Sequence, residues 1–234
     1  MFEGSPGPTM LGVTAQERFV LGLDLDGTCG DFYGRMREIA AEWTEQPLES
    51  LPEEPEWGLG NWGIGSANYD RFHRFAVTQR ELFKTMKPIA GAASGVRRLG
   101  TEGIRIRIIT HRLFIRYFHE VAVQQTVRWL DHWSIPYWDL CFMRDKGEVG
   151  ADLYVDDSPD NIADLEASGK QVLVFSNATN RSMISTSDRA ENWAEAEDKI
   201  RTVYYQWLQE KGLELPEKPG AEPEWAKSGP RPAV

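Results

Sequence analysis

The chain has 234 residues, 41% of them hydrophobic and 26% charged, with a formal net charge of -10 and an isoelectric point near 5.0. This is a globular composition, long enough for one ordinary core with a small insert. So acidic a chain excludes a broad grip on nucleic-acid backbones, so no stable duplex binding is expected; one local pocket for a small anion, and a divalent cation, remain compatible with it.

Residues 1–16 are rich in Gly and Pro and are expected to be flexible. They hold no basic segment followed by a long apolar run, and nothing downstream is long and apolar enough to span a membrane. With Cys29 and Cys141 as the only cysteines, a cytoplasmic chain with reduced thiols is expected. His73, His111, His119 and His132 fall at no usual metal-ligand spacing and read as scattered surface or core residues.

The first apolar run, Phe19 to Leu25, reads as a buried strand and ends in LGLDLDGTCGDF. Side chains alternate along a strand, so Asp24 and Asp26 fall on one side. Gly27 frees the backbone for a tight turn. Two carboxylates this close repel unless a cation lies between them. A turn that caps a following helix is the competing explanation, and this motif alone leaves it open.

Residues 29–87 are too long for a simple crossover. Helical patterns over Asp31 to Trp43 and Ala67 to Thr85 flank a turn-rich loop, which reads as a small helical cap inserted after the first strand. Its aromatics, among them Phe32, Tyr33, Trp57, Trp62, Tyr69 and Phe83, are mostly cap core, with two or three expected to face the site. The GLGNWG run at Gly58 to Gly63 fits a dinucleotide fingerprint, but that motif works only between a strand and a helix N-terminus. The preceding LPEEPEW cannot be a buried strand.

From residue 88 to 212 the pattern alternates. A short helix over Ala92 to Gly100 precedes a strand, Ile104 to Thr110, whose terminal Thr110 offers a hydroxyl at the sheet edge. A helix over Arg116 to Trp133 and a strand from Trp138 to Phe142 lead to Lys146, which alone would pass for a surface lysine. A strand from Leu153 to Val155 then runs into Asp156 and Asp157. A helix follows from Ser158 to Ser168, opening on a Ser-Pro cap, then a strand from Gln171 to Phe175 and a long helix from Ser187 to Glu210 on a 3–4 period. Residues 213–234 are rich in Pro, Glu and Gly and are expected to be a flexible tail, with Trp225 a lone aromatic. The alternation predicts an α/β, Rossmann-like parallel sheet with helices on both faces, and ligands at the carboxyl ends of the strands. There, two acidic pairs converging on one edge make an all-oxygen site suited to magnesium.

The order DLDGT, Thr110, Lys146, Asp156–Asp157 resembles the haloacid dehalogenase superfamily over Phe19 to Trp193. Within it, DLDGTCGDF, KPIAGA, RDKGEVGADLYVDD and FSNATNR are similar to the 5'(3')-deoxyribonucleotidases, the cytosolic type C 5'-nucleotidases. That family commonly carries Val in place of Thr28 and Thr-Ser in place of Thr110-His111, and the match is poor from Trp43 to Gly65. The resemblance implies a magnesium-dependent phosphomonoesterase. Asp24 would be the nucleophile, forming an aspartyl-phosphate. Asp26 would act as acid and then base. Magnesium would be held by Asp24, the Asp26 carbonyl and Asp157, with Asp156 acting through water. Gly27, Thr110, His111 and Lys146 would hold the phosphate. Phe32 matches the position that stacks on the base, with Trp62 and Arg144 as further substrate contacts. The implied substrate is a small phosphomonoester, a nucleoside monophosphate first. Another small phosphomonoester such as a sugar phosphate, or a catalytically silent binding protein on this fold, remain the alternatives. A homodimer is compatible with the chain.

Overall fold

The computed structural model describes residues 17–114, 116–217 and 220–221, so the expectations for residues 1–16 and for Trp225 lie outside the described residues. Thirteen elements suffice to place the site. In chain order these are β1 (Val20–Leu23), α1 (Phe32–Trp43), α2 (Gly65–Arg80), α3 (Leu82–Thr85), α4 (Ala92–Thr101), β2 (Arg105–Thr110), α5 (His119–His132), β3 (Asp139–Phe142), β4 (Leu153–Asp156), α6 (Pro159–Ala167), β5 (Val172–Phe175), β6 (Asp188–Ala190) and α7 (Trp193–Glu210).

All strands run parallel in the order β3-β2-β1-β4-β5-β6. The chain winds outward from β1 through β2 to β3, then returns to the other side of β1 with β4. That reversal opens a crevice past the carboxyl ends of β1 and β4, where open α/β sheets bind ligands. Leu23 lies level with Ile108 on one side and Val155 on the other, so the residues after these strands emerge together.

The near-continuous apolar strands follow from burial on both faces. On one face Leu21, Leu23, Ile106, Ile108, Val155 and Leu173 pack with Val96 and Leu99 of α4, Trp129 and Leu130 of α5, and Ala196 and Ile200 of α7. On the other, Ile109, Tyr154, Val172 and Val174 pack under Ile162 and Leu165 of α6. The helices α1–α3 gather a separate core around Met36, Ile39, Phe72, Ala76, Phe83 and Trp62. The stretch that carries these helices leaves the sheet and re-enters it at adjacent points, a neck, and it also packs on α5, where Gln125 Nε2 donates to Val77 O at 2.8 Å. The Asp31 N–H donates to Lys87 O at 2.7 Å, and Gly30 bridges to Pro88.

Several boundaries differ from expectation. The stretch read as one helix from Ser187 begins with the short edge strand β6. Arg189 there is tied by its guanidinium to Asn180 and to Met183 O. Three residues with no apolar alternation give no strand signal. The helix starts only after Asn192, whose side chain accepts from the Glu195 N–H at 3.0 Å. The pattern over Ala67 to Thr85 is two helices, broken at Glu81 by a left-handed backbone, φ 46°. The helix expected from Arg116 starts at His119, because Tyr117 is left-handed at φ 68°. The GLGNWG run is a 3-10 turn entered through left-handed Leu59, not a strand-to-helix loop. At the start of the stretch expected to be a tail, Leu213 packs against the core, and the Gly220 N–H donates to Glu102 Oε1 at 2.8 Å.

Candidate active site

Asp24 follows directly on β1, and its N–H donates to Val155 O at 3.0 Å, which stitches it to β4. The chain then turns sharply. Gly27 has φ +86°, and a Cβ there would sit 2.2 Å from Asp157 Oδ2. Only glycine meets both demands, the left-handed backbone and the close approach of the second acidic pair. Asp156 ends β4 and Asp157 follows it. Oxygen atoms of Asp24, Asp156 and Asp157 all lie within 4.8 Å of one another, and all three residues are buried.

Each carboxylate is held by different neighbours. Lys146 opens a short 3-10 turn after β3 and is buried, with Nζ 2.5 Å from Asp24 Oδ1 and 2.6 Å from Asp156 Oδ2. Asp156 Oδ1 also accepts from the Ser158 N–H and from Asn161 Nδ2. Asp157 accepts from Thr28 Oγ1 at 3.3 Å and Asn177 Nδ2 at 2.6 Å, while Asn180 Nδ2 donates to its carbonyl. The Thr110 hydroxyl ends β2, buried and without a hydrogen-bond partner among the described residues.

Three buried acids share one ammonium. Burial pushes the Asp24 carboxyl up to about 7, against the pull of Lys146. Burial, then the Asp24 and Asp156 charges, pushes Asp157 well above the carboxylate range. Lys146 stays protonated, because its two carboxylates outweigh its own burial. The cluster therefore lacks positive charge, which protons or a cation must supply. An all-oxygen donor set with this deficit fits a hard divalent cation.

Asp26 is placed differently. Its carboxylate is gripped by Arg112, with Nε to Oδ2 at 2.9 Å and Nη2 to Oδ1 at 2.5 Å. Arg112 lies two residues past Thr110, in a 3-10 turn after β2. The rule of inspecting residues just past each strand reaches it; attention to carboxylates and hydroxyls passed it over. Asn177 was missed likewise, within FSNATNR just past β5.

The other expected residues divide. His111 is exposed, 5.6 Å ring to ring from Phe114. Burial, then the charges of Arg144 and Lys146, lowers its pKa, and Arg144 lines a groove together with Lys146. Phe32 starts α1 and is nearly buried against Tyr33 and His73. Trp62 is a correction. Its ring is 1% exposed within the core of the insertion, and its indole N–H donates to Pro52 O at 3.0 Å. An aromatic there braces the loop and cannot meet a ligand.

Beside the carboxylates, Tyr33, Trp57, Leu59, Ser66, Tyr69 and Asp70 line a cavity of about 270 Å³. Its two phenols feel the site. Burial and Asp157 raise the Tyr33 pKa, while burial and Asp26 push Tyr69 up to about 12. The Tyr33 hydroxyl also lies 3.5 Å from Thr179 Oγ1, which donates to Asn177. A groove of about 420 Å³ between α7 and the starts of β4–β6 lies at the opposite sheet edge, far from these acids.

His73 of α2 is buried beside Phe32, Tyr69, Phe83 and Phe114, with Nδ1 unpartnered among the described residues. Burial lowers its pKa from 6.5 to about 4, and Asp26 pulls the other way. A histidine lowered on folding costs nothing above its unfolded pKa. It costs stability progressively as pH falls through the window from 6.5 to 4. A His73→Phe variant should match the parent at pH 7 and exceed it by about 2 kcal/mol at pH 5, read from urea unfolding. Equal stabilities at pH 5 would show that the imidazole is not held neutral.

A model of the family described as 5' nucleotidase, deoxy (pyrimidine), cytosolic type C matches residues 18–206. A curated protein of Chlorobaculum tepidum, named provisionally as a 5'(3')-deoxyribonucleotidase, is 56% identical over 188 residues, 80% of this chain and 92% of that one. Among solved structures, a haloacid dehalogenase-like hydrolase from Streptococcus pneumoniae superposes with a TM-score of 0.54 at 9% identity, covering 78% of this chain and 98% of that chain. One described as a predicted phosphoglycolate phosphatase from Haemophilus somnus gives 0.51 at 12% identity, covering 78% and 98%. These structural likenesses carry the fold.

Proposed function

This chain belongs to the 5' nucleotidase, deoxy (pyrimidine), cytosolic type C family, a phosphoric monoester hydrolase of haloacid dehalogenase type, and on that premise we propose that it dephosphorylates (deoxy)ribonucleoside monophosphates through an aspartyl-phosphate, with magnesium. The observation that carries this reading is the buried cluster of Asp24, Asp156 and Asp157 around Lys146 in the crevice between β1 and β4.

Asp24, Asp157 and the Asp26 carbonyl would hold the cation, with Asp156 acting through a water. When bound, it supplies positive charge against the phosphate oxygens and the three acids. The chain's own groups do the rest. Lys146 Nζ and the Thr110 hydroxyl stand ready for phosphate oxygens, with Gly27 leaving room for Asp157 beside them. Asp24 attacks phosphorus, the phosphorus–ester bond breaks, and Asp26 gives its proton to the departing alkoxide. Asp26 then takes a proton from the attacking water. The new phosphorus–oxygen bond forms, the bond to Asp24 breaks, and Asp24 leaves as a carboxylate. The cavity walled by Tyr33, Trp57 and Tyr69 offers flat faces to a nucleoside, with Ser66 and Asp70 as polar contacts, and Phe32 lies beside Tyr33. We treat residues 29–87 as the cap that supplies this wall.

Among the described residues no helix is long and apolar enough to cross a membrane. The free thiols of Cys29 and Cys141 support a cytoplasmic placement.

Phosphate release from a panel of deoxyribonucleoside 5'- and 3'-monophosphates, ribonucleotides and sugar phosphates, with magnesium, tests the reading. Nucleoside monophosphates should exceed sugar phosphates in kcat/KM by about tenfold or more, the scale a well-filled apolar pocket provides. EDTA should abolish turnover and magnesium restore it. Activity confined to sugar phosphates would overturn the substrate, and full turnover in EDTA would overturn the metal requirement.

A further inference from the structure

We propose that Arg112 is the positioning residue that aims Asp26 and ties that aim to the helical insertion. This rests on the reading of Asp26 as acid and then base. Arg112 is itself buried, its side chain 0% exposed against 22% for Asp26. Its Nε and Nη2 are taken by Asp26 and its Nη1 by Thr126, so it acts through the carboxylate it holds.

The grip is fixed at every side. Nε and Nη2 take one Asp26 oxygen each, a fork-to-fork pairing that sets the plane of the carboxylate as well as its position. Nη1 donates to Thr126 Oγ1 on α5 at 2.9 Å. The Thr126 hydroxyl donates in turn to Ala122 O at 2.7 Å, so its lone pair faces the arginine. The guanidinium lies over the Phe83 ring of α3, 4.3 Å from its centroid, and Nη2 is 3.9 Å from Met86 Sδ at the neck of the insertion. One side chain thus spans the turn after β1, the core helix α5 and the last helix of the insertion. A carboxylate on a single-residue arm has two free torsions. Without the fork both are released, and the oxygen that must meet first the leaving group and then the water is no longer aimed. Misplacement by about 1 Å costs on the order of a hundredfold in rate. Because Phe83 belongs to the insertion, any shift of that body on the sheet reaches Asp26 through this stack.

The test pairs two substrates in magnesium-loaded enzyme. Thymidine 5'-monophosphate leaves as an alkoxide and needs the proton from Asp26. 4-Nitrophenyl phosphate leaves as a stable phenolate and does not, so only its second half-reaction needs Asp26. Arg112→Met should lower kcat for the nucleotide by about 100-fold with KM changed less than about threefold. With the aryl ester, the first turnover should keep its parental rate while the steady state falls, giving a burst that approaches one equivalent of phenolate. Arg112→Lys, which keeps the charge and loses the fork, should recover part of kcat. Thr126→Val keeps the Asp26 contact and frees the far end. It should move both readouts the same way by about 5-fold, and it serves if Arg112→Met does not fold. Parental kcat in both Arg112→Met and Thr126→Val, or in Thr126→Val alone when the first cannot be made, would overturn the proposal. So would a burst and a steady state that fall together, which is the signature of a merely structural loss. A parent enzyme that turns over neither ester would instead refute the phosphatase reading and take this inference with it.

Discussion

Asp24→Asn should abolish turnover, by on the order of 10⁴-fold or more, while making the metal-free protein more stable. The loss follows from chemistry: an amide oxygen is a poor nucleophile toward phosphorus, and no other buried carboxylate here stands free to replace it. The gain follows from the crowding of three acids around one ammonium. Asp24 folds with its pKa raised from 3.8 to about 7, chiefly by burial. A carboxyl raised on folding contributes its full stability below its unfolded pKa and loses it as pH rises through the folded one, so the metal-free protein weakens across the window from about 4 to 7. The neutral isostere removes that dependence. Urea unfolding in EDTA should show Asp24→Asn ahead by on the order of 4 kcal/mol at pH 7, and nearly level with the parent near pH 4. Magnesium should then stabilise the parent more than the variant. A variant that retains turnover would overturn the assigned nucleophile. One that is less stable at pH 7 in EDTA would show that Lys146 alone balances the cluster.

Lys146→Met should fail in both respects. Nζ lies 2.5 and 2.6 Å from Asp24 and Asp156, with all three side chains buried. Removing one partner of a buried pair leaves uncompensated charge, at about 3–5 kcal/mol. Here two carboxylates are stranded, so metal-free unfolding should lie at the upper end of that range. Turnover should fall by on the order of 10²- to 10³-fold, because a preorganised cation facing the phosphate is lost. The opposite signs of the two stability effects are the discriminating feature. Calorimetry with and without magnesium reads both, and equal melting of Lys146→Met and parent in EDTA would mean that the ammonium does not hold this cluster.

The sheet was legible because five of its strands are apolar runs bounded by turn residues, and because helix and strand periods alternate. Its edge was not. β6 has no apolar alternation, and what fixes it is Arg189 reaching back to Asn180, a contact between residues nine apart that no local period records. The left-handed backbones at Glu81 and Tyr117 were equally silent, since neither residue type announces that conformation. At the site, Asp24, Lys146, Asp156 and Asp157 stood out by type and spacing, and the fold brings the three carboxylates within 4.8 Å of one another, with Lys146 on two of them. Arg112 did not stand out. It sits two positions past a strand end, and its meaning comes wholly from Asp26, 86 residues earlier. Trp62 shows the converse: an aromatic in a glycine-rich loop looks available to a ligand until its neighbours are known, and here they enclose it.

The neck at Gly30 and Pro88 carries a last consequence. The chain leaves the sheet and re-enters it at adjacent points, with Asp31 N–H on Lys87 O. The strands therefore do not register how much polypeptide lies between. Halving or doubling an excursion closed at its base alters the closure entropy by only about 0.6 kcal/mol. The two acidic pairs and Lys146 all lie outside that excursion, whereas the Tyr33, Trp57 and Tyr69 wall lies within it. On the proposed function, reactivity and selectivity would thus be written in separate stretches of chain. A graft of a relative's segment between these two points should hand over its preference among esters and leave the hydrolytic step where it was, provided an aromatic still meets Arg112 where Phe83 does now.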